Sequence, residues 1–354
     1  MLQRRLLPHL NPSDSASNNT ASTVAVDVLG AGIAGTWQAL LLAKAGFKVT
    51  LYESDSAAMT HATSHYAGGM LAPWCESESA EPIIVRLGLR ALELWREHLP
   101  STPFNGSLVV AHARDRSDFA RFARLTSHYE RLDAAAVGAL EPSLAGRFSE
   151  GLFYPDEGHV EPRRVLPQLH AQLAALGVEV RFGTARDPQQ SEAEGERIVI
   201  DCRGLGARDA LPDLRGVKGE MILIETDEVE LSRPVRLMHP RWPLYLIPRE
   251  DHRFMLGATS IESEDDRVSL RSALELMSAA YTVHPAFGEA RILDFGAALR
   301  PAFADNLPRI GIKGRTIMVN GLYRHGFLIA PALAELTVRL VTRGELDNEV
   351  MRCS

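Results

Sequence analysis

The sequence predicts an α/β protein in two parts, one built on a parallel βαβ unit and the other an α+β part organised on antiparallel strands. Three observations carry this. The β-branched run Val24-Ala25-Val26-Asp27-Val28-Leu29 meets a glycine turn at Gly30, a helical period follows from about Ala34 to Ala45, and after Gly46 a second strand, Phe47-Lys48-Val49-Thr50-Leu51-Tyr52, ends at Glu53. Residues 220–225, 244–248 and 253–258 read as strands with no helix between them. Parallel neighbours need a crossover of about a dozen residues or more, so these strands are expected to pair antiparallel. At about 150 residues per domain, 354 residues also suggest roughly two domains.

The remaining elements follow from periodicity. Helical periods cover 81–97, 118–131, 162–176 and 269–281, and strand patterns cover 178–182 and 197–202. Residues 1–23 include Asn11-Pro12-Ser13-Asp14-Ser15 and Asn18-Asn19-Thr20 and lack a secretory apolar stretch, so they are expected to be a disordered extension.

Composition excludes several classes. With 45% hydrophobic and 23% charged residues the chain is neither disordered nor fibrous. Its net charge of -7, with Lys and Arg scattered, argues against nucleic acid as a partner. No apolar run is read as approaching the ~18 residues of a membrane span, so no membrane is expected. Cys75, Cys202 and Cys353 give neither a disulfide framework nor a zinc spacing, which fits a cytoplasmic protein without a metal. A homo-oligomer is compatible with the sequence.

The chemistry begins at Gly30-Ala31-Gly32-Ile33-Ala34-Gly35, a GxGxxG pattern between a strand and a helix, with Glu53 following 23 residues after the first glycine. The first glycine makes the tight turn, the second lets backbone approach a pyrophosphate, and the third allows close helix–sheet packing. The helix N-terminus attracts the anion and Glu53 would accept ribose hydroxyls. This is a Rossmann-type dinucleotide site, and by itself it does not separate FAD from NAD.

Further segments, in order, resemble the D-amino-acid-oxidase superfamily and most closely its glycine-oxidase branch of bacterial thiamine biosynthesis. Ser64-His65-Tyr66-Ala67-Gly68-Gly69-Met70-Leu71 is similar to the segment that wraps the flavin in that family, and Asp201-Cys202-Arg203-Gly204-Leu205-Gly206 to its strand-to-glycine turn over the adenine side of FAD. Gly296-Ala297-Ala298-Leu299-Arg300-Pro301 and Asp305-Asn306-Leu307-Pro308-Arg309-Ile310-Gly311 resemble the stretch whose arginine clamps a substrate carboxylate beside the flavin. A guanidinium suits that task because its fork donates two charge-assisted hydrogen bonds. Gly321-Leu322-Tyr323-Arg324-His325-Gly326-Phe327-Leu328 resembles the segment closing the flavin site, with Leu322 and His325 departing from the family's His and Asn. Tyr245 matches a strand tyrosine that helps hold the carboxylate, and Arg324 a substrate-site arginine.

The resemblance implies a glutathione-reductase-like fold of D-amino-acid-oxidase type. Its FAD-binding domain would comprise 24–80, 150–215 and 301–350, and its substrate domain 81–149 and 216–300. The connection 215–220 is expected to carry no chemistry, and Arg300 is expected to project from a rigid turn before Pro301. The implied activity is FAD-dependent oxidation of a small amino acid, glycine first, with dioxygen as second substrate and peroxide as product. Alternatives are a sarcosine or D-amino-acid oxidase or dehydrogenase, a non-catalytic FAD-holding subunit, and a nicotinamide-only dehydrogenase.

Overall fold

In the computed structural model, which describes residues 24–239 and 243–353, the predicted βαβ unit opens the chain as β1 (Ala25–Leu29), α1 (Ile33–Lys44) and β2 (Lys48–Tyr52). The disordered extension expected at 1–23 lies outside the described residues. Next come β3 (Met70–Leu71), α2 (Pro73–Glu76), α3 (Pro82–His98), β4 (Ser107–Ala111), α4 (Arg116–Leu125), β5 (Glu130–Asp133), α5 (Ala134–Leu140), β6 (Glu150–Tyr154) and β7 (Gly158–His159). The chain continues through α6 (Pro162–Ala175), β8 (Glu179–Arg181), α7 (Pro188–Ala193) and β9 (Arg197–Asp201). The middle strands are β10 (Arg215–Glu225), β11 (Val235–Met238), β12 (Leu244–Pro248), β13 (Arg253–Gly257) and β14 (Ile261–Glu262), followed by α8 (Leu270–Val283) and β15 (Arg291–Ala302). Last are β16 (Arg309–Lys313), β17 (Thr316–Asn320), α9 (Gly326–Arg343) and β18 (Met351–Cys353).

The chain divides into two compact units, the first taking the described residues up to His65, Arg163–Gly216 and those from Arg300 on, the second Tyr66–Pro162 and Val217–Leu299. The first unit holds a seven-stranded sheet in the order β18-β16-β17-β9-β1-β2-β8. From β17 to β8 its neighbours are parallel, with Val28 opposite Leu51 on one side and Ile200 on the other. Val26, Val28, Leu51 and Ile200 are fully buried, as strands covered on both faces require. α9 packs on α1. The segment Tyr323–Arg343 is long and apolar enough to cross a membrane by length and composition, which corrects the reading that no such run exists, but 72% of its most apolar stretch is buried within the fold.

The second unit is a nine-stranded sheet in the order β14-β10-β13-β12-β11-β4-β6-β5, with β15 also paired to β10. β10, β13 and β12 pair antiparallel as the missing crossovers predicted, whereas β11 and β4 are parallel. Alternation along β4 sorts the two faces: Leu108 and Val110 join a core with Ile222, Leu256 and Leu276 of α8, while Val109 and Ala111 pack with Phe119 and Phe122 of α4.

Several expectations are corrected. Residues 66–80 and 150–162 cluster with the second unit and not with the cofactor half, because β3 pairs with β7 and β6 with β4 and β5. The helix expected over 118–131 stops at Leu125, where Thr126 donates its hydroxyl back to the Phe122 carbonyl, and 130–133 form β5. Residues 215–220 form the start of β10, and the chain passes from the first unit to the second within them, between Gly216 and Val217. Arg300 and Pro301 lie inside β15, not on a turn, and strand pairing rather than proline holds that backbone extended.

Candidate cofactor and substrate sites

The first unit builds an anion cradle from β1 upward. Gly30 has φ +93, and a Cβ there would stand 2.6 Å from the Cys202 carbonyl oxygen, so only glycine fits. At Gly35 a Cβ would lie 1.8 Å from the Gly30 oxygen, which is the close helix–strand approach expected of the third glycine. Gly32 differs, because a Cβ there would meet only Ser64 Oγ at 3.2 Å. That single tight contact is with a side-chain hydroxyl and not with backbone.

Gly32 is the N-cap of α1 without a side-chain cap, and the first turn carries no acid. The Ile33 N–H donates to Ser64 Oγ (3.0 Å) and the Ala31 N–H to Glu53 Oε2 (2.7 Å), while Glu53 Oε1 accepts from Asp55 N–H (2.9 Å). Ala34 follows Ile33 in the same turn. A phosphate group suits such an uncapped helix start, where dipole and backbone N–H groups favour negative charge. Gly326 sets the start of α9 beside it, its Cβ position 3.4 Å from Ile33 Cγ2, so two helix N-termini converge here. Those residues fit an FAD pyrophosphate.

Around this cradle the structure gathers most of the expected cofactor residues. Cys202 follows β9, its N–H bonded to the Leu29 carbonyl, and burial pushes its thiol well up, which leaves it inert. Gly204 has φ +58, its carbonyl accepts from Asn320 Nδ2 (2.9 Å), and a Cβ there would lie 3.8 Å from Pro301 Cγ, next to Arg300. Gly206 lies in the same short 3-10 turn. Tyr323, Arg324 and His325 form another, with Arg324 Nε donating to His325 Nε2 (3.3 Å), and Phe327 and Leu328 are core residues of α9.

Sequence reasoning missed the group behind the loop. His170 Nε2 on α6 lies 3.2 Å from the Ala31 carbonyl oxygen and 3.1 Å from Thr36 Oγ1, and burial lowers its imidazole pKa. The neutral ring therefore buttresses the glycine turn without adding charge. Nothing in a lone histidine 139 positions from its partner signals that contact.

The second unit holds Ala67, Gly68, Gly69, Met70 and Tyr245. Gly69 has φ +72 and a Cβ there would sit 2.1 Å from the Val160 oxygen, so the segment lies flat on β7. Arg249, just past β12, fastens it by donating Nη2 to the Gly68 carbonyl (2.6 Å) and Nη1 to the Val160 carbonyl (2.9 Å). Tyr245 faces Gly257 in register, and its neighbours on that face are Tyr66, Met70, Met221, Ile247 and Met255. Directly across on β11, Arg236 stacks its guanidinium 5.2 Å from the Tyr245 ring and donates to Glu78 Oε2 (2.8 Å). Among the described residues no group of three or more His, Cys, Asp or Glu could hold a metal ion.

Comparison with known proteins places these features in a wider set. The DAO family model, described as FAD dependent oxidoreductase, matches residues 26–340. A protein of Rhizobium etli bearing the name thiamine biosynthesis oxidoreductase ThiO is 51% identical over 318 residues, which cover 89% of this chain and 96% of that one. Glycine oxidase of Bacillus subtilis is 26% identical, with 91% and 94% covered. The crystal structure of a glycine oxidase from Bacillus cereus shares the fold with a TM-score of 0.77 at 23% identity, over 92% of this chain and 98% of that one.

Proposed function

The chain belongs to the DAO family of FAD dependent oxidoreductases, and on that premise we propose that it oxidises the C–N bond of glycine, using dioxygen and releasing hydrogen peroxide. The observation that carries this reading is the partly buried Tyr245 packed with methionines, Ile247 and Tyr66, an apolar surface with a phenol beside it that suits a small substrate with one anionic group.

Bound FAD supplies a two-electron acceptor for the substrate's α C–H bond. Gly30, Gly32, Ile33, Ala34 and Gly35 would hold its pyrophosphate and Glu53 its ribose. Ser64 fixes the loop through the Ile33 N–H. Ala67, Gly68, Gly69 and Met70 would line the flavin, and Cys202, Gly204 and Gly206 the adenine part. Arg300 and Arg324 of the first unit and Tyr245 of the second are the groups assigned to the substrate carboxylate, and Tyr323, His325, Gly326, Phe327 and Leu328 would close the cofactor site. The amine enters neutral, so that the α-carbon can give up hydride without a general base, and the imine product hydrolyses to the oxoacid and ammonia. The name of the Rhizobium etli relative supports a second fate, delivery of the imine to thiamine thiazole assembly in the cytoplasm.

The test is peroxide release under air from glycine, sarcosine, D-alanine and D-proline, beside anaerobic bleaching of the flavin. Glycine should give both signals. Bleaching without peroxide would point to a dehydrogenase, and neither signal with any amine would end the proposal.

A further inference from the structure

We infer that the Tyr66 ring sets the size limit for the substrate's α-substituent. The inference rests on the reading of Tyr245 as a carboxylate-binding group and goes beyond it by naming what excludes larger amino acids. Tyr66 ends a 3-10 turn just ahead of the Ala67-Gly68-Gly69-Met70 segment. Its ring packs with Met70, Met221, Ile247 and Met255 on the face that carries Tyr245.

What lets the ring lie there is Gly296. A Cβ at that position would stand 2.3 Å from Tyr66 Cδ1, 2.7 Å from Cε1 and 3.0 Å from Met221 Sδ. The ring therefore rests on bare backbone of β15. Period-two alternation gives Gly296, Ala298 and Arg300 the same side of that strand. The floor beside Tyr245 is thus filled by one aromatic ring, Ile247 and three thioethers. The thioethers are flexible and yield to a substrate, whereas the tyrosine, with two torsions and no Cβ beneath it, is the rigid member. Glycine brings no α-substituent to this floor, and each added methylene must displace the ring.

A single methylene in an apolar pocket is worth about 10–200-fold in discrimination. In the FAD-loaded protein, Tyr66→Ala should raise the D-alanine to glycine ratio of anaerobic flavin reduction rates by about tenfold or more, and that of D-valine further. Tyr66→Phe, which keeps the ring, should retain the parental selectivity, and Tyr66→Leu provides the same comparison should the alanine variant lose FAD. Binding is read separately from the change in flavin absorption on titration with acetate and benzoate. Loss of the ring should shift preference towards benzoate. Gly296→Ala should lower the melting temperature of the parent and cost less in the Tyr66→Ala background, because the obstructing ring is then gone. If no amine reduces the parent, the proposed reaction falls while the carboxylate titration still decides the size limit. Unchanged selectivity in both reduction and carboxylate binding, or an equal cost of Gly296→Ala in the two backgrounds, overturns the inference.

Discussion

His159 on β7 is buried and its Nδ1 has no hydrogen-bond partner among the described residues. Burial, reinforced by the Arg249 charge, pushes its imidazole down to about 3. Below pH ~6.5 the unfolded chain therefore takes up a proton that the folded one refuses, and stability is lost as pH falls towards 3. At about 1.4 kcal/mol per unit, this costs roughly 2 kcal/mol at pH 5. Glu157, two residues earlier, has the opposite sign. Burial raises its carboxyl to about 7 although Ser107 Oγ and the Cys75 N–H donate to it, so stability falls as pH rises from ~4.3 towards 7. Urea unfolding should show a flatter acid limb for His159→Gln and a flatter neutral limb for Glu157→Gln, and parental pH profiles in both would refute the assignment. For Arg300, replacement by Lys keeps charge but loses the fork, and at about 1.5–3 kcal/mol for a charge-assisted bond, glycine affinity should fall roughly tenfold or more while FAD stays bound. Stopped-flow reduction measures it. Equal reduction of Arg300→Ala and parent by glycine would move the clamp to Arg324 and Tyr245. Arg300 stands out in the sequence as a candidate because it sits in a dense motif; His170 and Arg249 do not, because each acts on backbone carbonyls distant in sequence, and a carbonyl leaves no mark in the residue code.

At the scale of elements, the βαβ unit was read to within a residue because a tight glycine turn, an apolar helix and a β-branched strand all agree locally. The errors fell where tertiary pairing decides. β5, Glu-Arg-Leu-Asp, is charged and mostly exposed, and it is a strand only because β6 offers an edge. The two-residue β3 and β7 are too short for any periodicity, yet their pairing moves 66–80 and 150–162 into the second unit. Two variants probe these elements. Gly32→Val sets a branched side chain at the start of α1, against the Ser64 hydroxyl, and should abolish FAD binding while the protein folds, checked by flavin absorption alongside circular dichroism. Full FAD occupancy would refute the cradle. Arg249→Met strips both donors from the Gly68 and Val160 carbonyls and should cost about 1.5–3 kcal/mol in urea unfolding, with Arg249→Lys intermediate. An unchanged unfolding free energy would mean that solvent satisfies those carbonyls.

For the molecule as a whole, FAD is a ligand of the folded state alone, since the cradle joins Gly30, Glu53, Cys202 and Gly326, which are far apart in an unfolded chain. At about a hundred times its Kd it should therefore add about 2.7 kcal/mol to stability. How that reaches the melting temperature depends on the size of the cooperative block. If all 354 residues unfold together, an unfolding entropy of about 2.1 cal/mol/K per residue gives about 0.74 kcal/mol/K and a shift of about 3–4 °C. If the two units melt separately, only the one holding the cradle responds, and about half the residues gives a shift of roughly 7 °C in one of two transitions. Calorimetry of the apoprotein with increasing FAD distinguishes these outcomes. Gly32→Val should abolish the shift in either case, whereas Arg300→Ala should keep it, because the role proposed for Arg300 is in substrate binding and not in the phosphate cradle. A melting temperature that ignores saturating FAD in the parent would sink the placement of the dinucleotide in the first unit.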